Sequence, residues 1–461
     1  MDIFSALQTA VSGLRAQAFS LDNISGNIAN SQTTGYKRID TTFVDMIAER
    51  DTKHQVAGTV AAYSELTNTI QGNLRDTGVS TNMALNGNGF FVVQKKSVDS
   101  GGGTAFSATN LYTRRGDFAP DKDGYLVNGA GSYLTGASLD PATGQTASTG
   151  PIQISNDLLP AKATGTITYS ANLPRTPTTT GAKANGGLLP AFASDRDARV
   201  TDGNETGKTV AAGDDAQALI DNSIAGPALT VYDASGAPVS LQTRWAKVAN
   251  AGGTGDTATK DTWNLFYADK SSVSGNQSSW TNVGQAFQFT NGQLTAPAGG
   301  TLAIESLTVD DVPVGPLTLD LSGGLTQYAS SSGTVSTNTL KQNGYASGSL
   351  NAVDVGENGV ISGTYSNGKT LELARIEVAQ FINPDGLKPD SLGNYQQTTS
   401  SGEPLTGLRD TTVVGANVEQ SNTDVASEFS KMIVTQQAYS ANTRVMSTAQ
   451  SMISDLINVI R

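Results

Sequence analysis

The residue types that carry most enzyme chemistry are scarce in this sequence of 461 residues. There is no cysteine, which excludes disulfides, thiolate nucleophiles and thiolate metal sites. The single histidine, His54, has no histidine or cysteine partner, so we interpret it as an exposed, incidental side chain. The 41 acidic residues are scattered. No enzyme class is favoured, and a glycosidase that uses carboxylates alone is the class that counting leaves open.

Two short motifs suggest ligand binding but predict no site. Arg115-Gly116-Asp117 spells a cell-adhesion tripeptide, yet three residues carry little information, and a tight turn is the favoured interpretation. Asp121 and Asp123, followed by Gly124, faintly resemble a calcium loop. A calcium loop needs further oxygen ligands and a closing glutamate at its twelfth position, which are missing here.

Charge and hydropathy exclude several other classes of partner. The formal net charge is −12 and the isoelectric point is about 4.6, with no basic stripe, which argues against nucleic acid or an anionic membrane as a partner. No apolar run is long enough to span a bilayer. The N-terminus lacks the basic region and continuous apolar core of a secretory signal. Any export is therefore expected to use a route without signal cleavage.

Regular spacing of apolar residues at the two ends of the chain is the strongest structural signal. Steps of three and four residues predict a helix with a coiled-coil seam at the N-terminus. This seam consists of Phe4, Leu7, Val11, Leu14, Ala18, Leu21, Ser25 and Ile28.

The last forty residues carry the same signal and contain neither proline nor glycine. Thr423 and Asp424 are suitable N-caps for this helix. The C-terminal seam consists of Val425, Phe429, Met432, Gln436, Tyr439, Thr443, Met446, Gln450, Ile453, Ile457 and Ile460, and a second apolar row beside it includes Ile433, Val445, Met452 and Leu456.

We therefore expect the two chain ends to pair as a coiled coil; two ordinary amphipathic helices in a bundle are the alternative. Both helices would keep a further apolar face, which predicts side-by-side association of subunits. Contacts that do not close produce an open helical filament. We expect these seams, together with Asn442, to carry polymerisation.

The middle of the chain is rich in Gly, Ser, Thr and Asn, a composition typical of short strands joined by tight turns. Asn358-Gly359 and Asn367-Gly368 are predicted hairpin turns. Strand-spaced aromatic residues predict the core of a one-sided antiparallel sheet, with a sugar-binding platform as the alternative. These residues are Trp245, Trp263, Phe266 and Tyr267.

Two longer motifs resemble a known family. Considered alone, the Asn- and Thr-rich stretch after the first helix is a helix stop, in which Gly35 allows a positive-φ turn. Its pattern, however, is similar to the N-terminal signature of the flagellar rod and hook axial proteins, and the stretch from Ser421 resembles the same family's terminal helix. The N-terminal motif residues are Asn27, Ala29, Asn30, Thr33, Gly35, Tyr36 and Lys37.

The residues and the resemblance together predict a mixed, mainly β fold. It combines a terminal α-helical coiled coil with two antiparallel β-domains of barrel or sandwich type, the outer domain being inserted in the inner one. The predicted divisions are a helical domain at 1–30 and 423–461, an extended connector at 31–70 and 411–422, an inner β-domain at 71–145 and 341–410, and an outer β-domain at 146–340.

The resemblance implies a structural subunit, not an enzyme, and no cofactor. The length favours the hook branch of the family over the distal-rod branch, which lacks so large an inserted domain. Such a subunit would polymerise with itself into a curved hollow tube, a universal joint that transmits torque from rod to filament.

The other partners that the resemblance implies are the distal rod, the hook cap, the hook–filament junction protein and the flagellar type III export apparatus. The implied location is extracellular, on the flagellum, without membrane insertion. The alternative from another class is a secreted β-rich adhesin or glycan-binding protein, which does not explain the two heptad seams.

Overall fold

The computed structural model describes residues 3–46, 58–98, 104–140, 143–192, 197–252, 259–270 and 278–459. His54 lies outside these residues, and so do the side chains of Leu456 and Ile460.

The chain folds into four α-helices and many short strands within the described residues. The first part contains α1 (Ile3–Ala29), β1 (Ile39–Met46), β2 (Thr59–Leu66), β3 (Leu74–Asp76), β4 (Met83–Asn86), β5 (Phe90–Val98), β6 (Thr104–Phe106), β7 (Leu111–Thr113), β8 (Phe118–Pro120), β9 (Leu126–Asn128), β10 (Ser132–Leu139) and β11 (Thr146–Pro151).

The central part contains β12 (Thr166–Pro174), α2 (Thr180–Ala184), β13 (Thr209–Ala211), α3 (Asp214–Asn222), β14 (Ile224–Ala225), β15 (Leu229–Tyr232), β16 (Pro238–Leu241), β17 (Thr243–Ala249), β18 (Asp261–Ala268), β19 (Ser278–Asn282), β20 (Phe287–Thr290), β21 (Gln293–Ala296), β22 (Thr301–Val309), β23 (Val312–Asp320), β24 (Leu325–Tyr328) and β25 (Ser336–Gln342).

The last part contains β26 (Leu350–Val355), β27 (Val360–Tyr365), β28 (Thr370–Ile376), β29 (Val378–Gln380), β30 (Lys388–Pro389), β31 (Tyr395–Gln396), β32 (Leu405–Thr406), β33 (Thr412–Gly415), β34 (Asn417–Glu419) and α4 (Val425–Val459), with single 3₁₀ turns at Ala298–Gly300 and Pro384–Gly386.

The chain divides into two compact units. Unit 1 comprises Met1–Asp157, Leu350–Thr364 and Thr370–Arg461, and unit 2 comprises Leu158–Ser349 and Tyr365–Lys369. These boundaries differ from those predicted for the outer domain, 146–340. Strand β11 is hydrogen-bonded to β10 and so belongs to unit 1, whereas β25 pairs with β12 within unit 2. The finer division into four domains stays a prediction.

Helices α1 and α4 pack against each other, and the most buried stripe of each helix lies beside the predicted seam. Asn27 lies opposite Glu428 and Gly13 lies opposite Asn442, so the helices run antiparallel. The buried stripe of α1 is made mostly of small residues, and the predicted seam residues of α1 are half-buried at best, with Phe4 and Ala18 exposed. The buried stripe consists of Ala10, Gly13, Ala16, Ser20, Ile24 and Asn27.

The stripe of α4 that meets α1 is likewise offset from the predicted seam. Glu428, Thr435 and Ala449 are its most buried members, while Phe429, Tyr439 and Ile457 of the predicted seam are exposed. Small side chains allow two helices to approach closely, so the large apolar side chains are displaced to the flanks.

No described helix is long and apolar enough to cross a bilayer.

The segment after α1, predicted as an extended connector, contains a β-hairpin. Strands β1 and β2 pair in antiparallel register, with Ile39 opposite Leu66 and Phe43 opposite Ala62. The backbone around Phe43 is therefore extended. Threonine, valine and aromatic residues recur along both segments and favour extended backbone, and antiparallel pairing satisfies the backbone groups that a single connector would expose.

The sheet of unit 1 is assembled from strands of both chain halves. Its centre is β5, which pairs with β7 and β10 from the N-terminal side and with β29 from the C-terminal side. Phe91, Phe118 and Leu134 are fully buried in its core. As predicted, Gly359 and Gly368 form turns with φ of 69° and 77°.

Unit 2 has its own core around the predicted aromatic residues. Trp245, Trp263 and Phe266 are completely buried, and Tyr267 is 7% exposed, so they are packing residues and not a sugar-binding platform. The sheet is mainly antiparallel, but β12 runs parallel to β23 and β24. A long stretch of chain separates β12 from both strands, which gives enough length for the crossover that parallel pairing requires.

The close approach of α1 and α4 leads to a stability prediction. A Cβ atom added at Gly13 would lie 3.0–3.1 Å from the side-chain amide of Asn442. We expect Gly13→Leu to lower the free energy of unfolding of unit 1 by ~1–3 kcal/mol, because the helices must separate. Denaturant unfolding followed by far-UV circular dichroism measures the change.

Gly26, on the same helix, is the control, because a Cβ there would meet nothing within 4 Å. Gly26→Ala should stabilise the protein by about 0.5–1 kcal/mol through helix propensity. Equal effects of the two substitutions would contradict the packing of α1 on α4 through its small-residue stripe.

Candidate functional site at the joined chain ends

The sequence motif that follows α1 forms a set of polar contacts with the start of α4. The Asn27 amide donates to Glu428 Oε2 at 3.0 Å and to the Ile39 carbonyl at 2.9 Å. Its Oδ1 accepts hydrogen bonds from the Ile39 amide and the Tyr36 hydroxyl. Both Asn27 and Glu428 are 1% exposed, so a single buried amide joins the first helix, the hairpin and the last helix.

Charged side chains extend this contact to the edge of the helices. Lys431 Nζ lies 2.8 Å from Asp40 Oδ1 and 2.9 Å from Glu428 Oε1. Burial alone would raise the pKa of Asp40, but hydrogen bonds and charges from Lys431 and Arg38 lower it overall. Burial would lower the pKa of Lys431, and its two carboxylate partners raise it overall. Both shifts stabilise the ionised pair in the folded protein.

Asn422, two residues before the N-cap of α4, fastens the chain that leads into this helix. Its Oδ1 accepts a hydrogen bond from the Arg38 amide at 2.7 Å, and its Nδ2 donates to Thr67 and to the Ile70 carbonyl. Asp424 then caps α4, because its Oδ1 accepts the Ala426 amide at 2.8 Å. The entry to α4 is therefore held against both ends of the hairpin.

A second buried cluster consists of Lys37, Arg114 and Glu419, and we call it the Glu419 hub. Lys37 Nζ is 2.6 Å from Glu419 Oε1, and an Arg114 guanidinium nitrogen is 3.3 Å from Oε2. All three side chains are at most 1% exposed. The Gly72 amide donates to the same carboxylate at 2.8 Å. One carboxylate thus connects the segment between α1 and β1, the loop after β2, the end of strand β7 and strand β34.

The hub buries two cations against one anion, so its charges depend strongly on one another. Burial lowers the pKa of Lys37, and the Glu419 carboxylate opposes that shift without cancelling it. Burial likewise lowers the pKa of Arg114. Lys37 Nζ also donates to the Ile70 carbonyl at 2.6 Å, and the Arg114 guanidinium donates to the Gly87 carbonyl at 2.6 Å. These carbonyl oxygens disperse the excess positive charge.

The structure gives each N-terminal motif residue except Ala29, which is exposed, a place in these contacts. Asn30 and Thr33 close the end of α1 through the Gly26 carbonyl and the Asn30 side chain. Gly35 has φ of 68°, donates its amide to the Glu419 carbonyl, and has no room for a Cβ beside Arg114. The predicted turn at Gly35 is therefore confirmed, and its amide joins the hub.

Large apolar side chains remain exposed on two flanks of α4. Phe429 and Ile433 are 49% and 56% exposed on one flank, beside Val425. Val434 and Met452 are 65% and 53% exposed on the other, with Val445 between them. We call these surfaces the α4 flanks. Several large apolar side chains exposed along the same side of a helix are typical of an interaction site.

The remaining predicted seam residues differ in burial. Ten of them, in the described parts of α1 and α4, are half-buried, and Gln436, Gln450 and Ile457 are exposed. The half-buried residues are Leu7, Val11, Leu14, Leu21, Ile28, Met432, Asn442, Thr443, Met446 and Ile453.

The two tempting short motifs have structural explanations. The guanidinium of Arg115 forms a bidentate ion pair with Asp117 at 2.7 and 2.9 Å. The two charged residues of the adhesion tripeptide therefore pair with each other. The predicted tight turn is wrong: residues 115–117 form no turn, and Gly116 is required because a Cβ would collide with the Met83 carbonyl. Asp121 accepts the amides of Asp123 and Tyr125, and the described residues contain no group of acids or histidine that could hold a metal ion.

Sequence reasoning missed the residues that bring the chain ends together. Asp40, Arg114, Glu419 and Lys431 carry no apolar periodicity, and their partners are far away in sequence. The one available signal was a basic Lys37 within a motif otherwise free of charge, which needs a counter-charge if it is buried.

Comparison with known proteins adds an independent finding. Family models match residues 7–37 (Flagella basal body rod protein), 84–169 (Flagellar hook protein FlgE/F/G D1 domain), 200–345 (Flagellar basal body protein FlaE D2 domain) and 415–459 (Flagellar basal body rod FlgEFG protein C-terminal).

Three relatives align over nearly the whole chain. The flagellar hook protein FlgE of Brucella abortus biovar 1 is 30% identical over the full length of both chains. That of Salmonella typhimurium is 30% identical over 98% of each chain. That of Escherichia coli K12 is 30% identical over 98% of this chain and 100% of the relative.

The Glu419 hub predicts a large effect of a small substitution. Glu419→Gln keeps the shape but leaves Lys37 and Arg114 buried without their counter-charge. We expect the free energy of unfolding of unit 1 to fall by ~3–5 kcal/mol. The three tryptophans, Trp245, Trp263 and Trp280, lie in unit 2, so their fluorescence should report an unchanged transition while far-UV circular dichroism reports the loss.

Glu372→Gln serves as the control, because Glu372 and its partner Arg375 are 57% and 61% exposed. An equal shift in both variants would refute the hub. The loss of unfolding free energy in Glu419→Gln should also become smaller as the pH rises toward the ordinary lysine pKa of about 10.4. Burial without a counter-charge lowers the pKa of Lys37, so the unfolded chain binds more protons than the folded chain. The stability of the variant therefore rises with pH.

The Lys431–Asp40 contact predicts acid sensitivity. The pKa of Asp40 is lowered by folding, so its stabilising contribution is complete above the ordinary aspartate pKa of about 3.9 and is lost as the pH falls through the folded value. Thermal unfolding of Asp40→Asn, measured against pH, should show a lower melting temperature at neutral pH. The difference from the unmodified protein should narrow in acid; a constant difference would exclude this ion pair as its cause.

Proposed function

The chain belongs to the flagellar hook protein family, and on that premise we propose that it polymerises through its terminal helices into the curved hook tube. Its role in the hook is that of a structural subunit. The observation that carries the assembly proposal is the exposure of the two α4 flanks. A helix with apolar surface on both sides of its intramolecular contact needs additional partners, and copies of the same subunit supply them.

The energetics favour assembly through these flanks. Each square ångström of apolar surface removed from water contributes about 25 cal/mol, so covering both flanks along a helix of this length supplies a substantial driving force. Because the two flanks are different surfaces, each would meet a different patch of a neighbouring subunit. Contacts between unlike patches extend into an open helical assembly when the rotation does not close.

The contacts between the two chain ends give mechanical load a path from the terminal helices to the β-structure of unit 1. In the proposed tube, the helices carry axial and torsional load through apolar contacts. The Glu419 hub then passes that load to the inner sheet, because Lys37 and Arg114 hold the connector and a sheet segment to the same carboxylate. A buried, hydrogen-bonded cluster is suited to this role, since it resists small displacements more than an exposed ion pair does.

The surface of unit 2 is suited to a different role. Among the described residues of this unit, the exposed large apolar side chains are Leu158, Ile220 and Tyr328, which are far apart in sequence. Polar surfaces of this kind form weak, hydrated contacts that exchange easily. We propose that outer domains slide past one another as the tube bends, which gives the universal joint that transmits torque from rod to filament.

The remaining partners follow from this function. The subunit would be exported by the flagellar type III apparatus without signal cleavage, add beneath the hook cap at the extracellular end, and contact the distal rod and the hook–filament junction protein at the two ends of the tube. The distal-rod alternative loses its support, because the relatives that align over the full chain are flagellar hook proteins. The adhesin alternative loses its support, because Asp117 is paired with Arg115 and the aromatic residues of unit 2 are buried.

Assembly through the α4 flanks predicts a selective defect. Ile433→Glu should leave the folded monomer intact, because Ile433 is 56% exposed, but should prevent the formation of tubes seen by electron microscopy. Ile433→Leu, which keeps the volume and apolar character, is the control and should assemble normally. Curved tubes from Ile433→Glu at the same yield would show that this flank is not an assembly surface.

A further inference from the structure

Eight Asn-Gly pairs occur in the sequence, at Asn86, Asn88, Asn128, Asn185, Asn291, Asn343, Asn358 and Asn367. Asn-Gly is the dipeptide most prone to deamidation, because the backbone nitrogen of glycine can reach the asparagine side-chain carbonyl carbon without steric hindrance. The reaction needs an asparagine amide that can rotate and a glycine N–H that is not engaged in a hydrogen bond. The fold imposes these two conditions differently on each pair.

In four of the pairs, hydrogen bonds to other residues hold the asparagine side chain in place. The Asn128 oxygen accepts two backbone amides, and the Asn185 amide donates to the Gly181 carbonyl and to Asn222. The Asn343 oxygen accepts two amides at 2.9 Å, and Asn367 is held at both its oxygen and its nitrogen. None of these side chains can turn toward the following backbone nitrogen without breaking hydrogen bonds.

In the three other constrained pairs the glycine N–H is engaged. Gly87 donates to Gln71 at 3.3 Å, and Gly89 donates to Thr411 at 3.0 Å. Gly359 donates to the Gly356 carbonyl at 2.9 Å, because it is the fourth residue of its turn. In each case the nitrogen that would attack must first give up its acceptor.

Asn291-Gly292 escapes both constraints. These residues form the two-residue turn between β20 and β21, with Thr290 opposite Gln293. Both residues have positive φ, 52° and 81°, which is typical of a two-residue hairpin turn. The hydrogen bonds of such a turn join its first and fourth residues, so they do not include the N–H of Gly292, the third residue. The Asn291 side chain is exposed, and within the described residues neither it nor the Gly292 N–H has a hydrogen-bond partner.

We propose that Asn291 is the site at which the folded protein deamidates. The Gly292 nitrogen loses its proton to solvent base and attacks the Asn291 Cγ, forming a C–N bond. The side-chain amide nitrogen takes up a proton and leaves as ammonia, which gives a five-membered succinimide. Water then attacks one of the two carbonyl carbons of this ring and breaks its bond to the ring nitrogen, producing aspartate or isoaspartate. No oxidant, metal or cofactor takes part.

The two products have different structural consequences. Aspartate tolerates the positive φ of this position and adds one negative charge to unit 2. Isoaspartate inserts a carbon into the backbone of a two-residue turn. There is little space for such a change, because the Tyr328 ring lies 2.5 Å from where a Cβ on Gly292 would be. Isoaspartate should therefore loosen the pairing of β20 with β21.

The experiment compares the full-length protein in its native state with the same protein unfolded in urea. Both samples are incubated at mildly alkaline pH, and peptide mapping by mass spectrometry gives a deamidation rate at each of the eight asparagines. The native-to-unfolded ratio at each site cancels the intrinsic reactivity of the dipeptide. We expect a ratio near one at Asn291. At the other seven sites we expect roughly fivefold or stronger slowing, because at least one hydrogen bond must break first.

Asn291→Gln is the matched control and should remove modification at the turn while leaving the seven other native rates unchanged. Two results would overturn the proposal. One is slowing at Asn291 as strong as at the seven constrained sites. The other is a faster native rate at any of those sites than at Asn291.

Discussion

The buried carboxylate of Glu419 is the group on which the arrangement of the chain ends depends. Two cations, Lys37 and Arg114, are buried beside it, and neither could stay in the interior without that counter-charge. The requirement can be met only if the segment between α1 and β1, the end of strand β7 and strand β34 converge at one point. The cluster therefore determines where the helices leave the β-structure.

The second organising feature is the division of side chains between two kinds of helix contact. Within the subunit, α1 meets α4 through small residues such as Gly13 and through the buried pair of Asn27 and Glu428. The large apolar residues, such as Phe429 and Val434, stay on the flanks. A close intramolecular contact keeps the pair rigid, and the apolar surface is left for the neighbours that the proposed hook tube provides.

Much of this organisation could be predicted from sequence, and the failures share a cause. Periodicity predicted both terminal helices, and Asn-Gly dipeptides located turns such as those at Gly359 and Gly368, because these features depend on residues close in sequence. Periodicity also predicted a seam through Leu7 and Leu14, whereas the most buried stripe of α1 lies one residue away and contains Ala10, Gly13 and Ala16. An apolar stripe shows that a helix face needs a partner, but not whether that partner lies in the same chain or in another.

The amino-acid sequence was enough to exclude cysteine chemistry and to predict the two terminal helices, the turn-rich β-structure and the family. Local propensity, composition and motif are properties of neighbouring residues, so they can be deduced without a structure. The folded structure was needed to show that Glu419 pairs with Lys37, hundreds of residues away, and that Asn27 contacts Glu428. Burial and charge pairing depend on which distant segments meet in space, and no local pattern in the chain specifies that meeting.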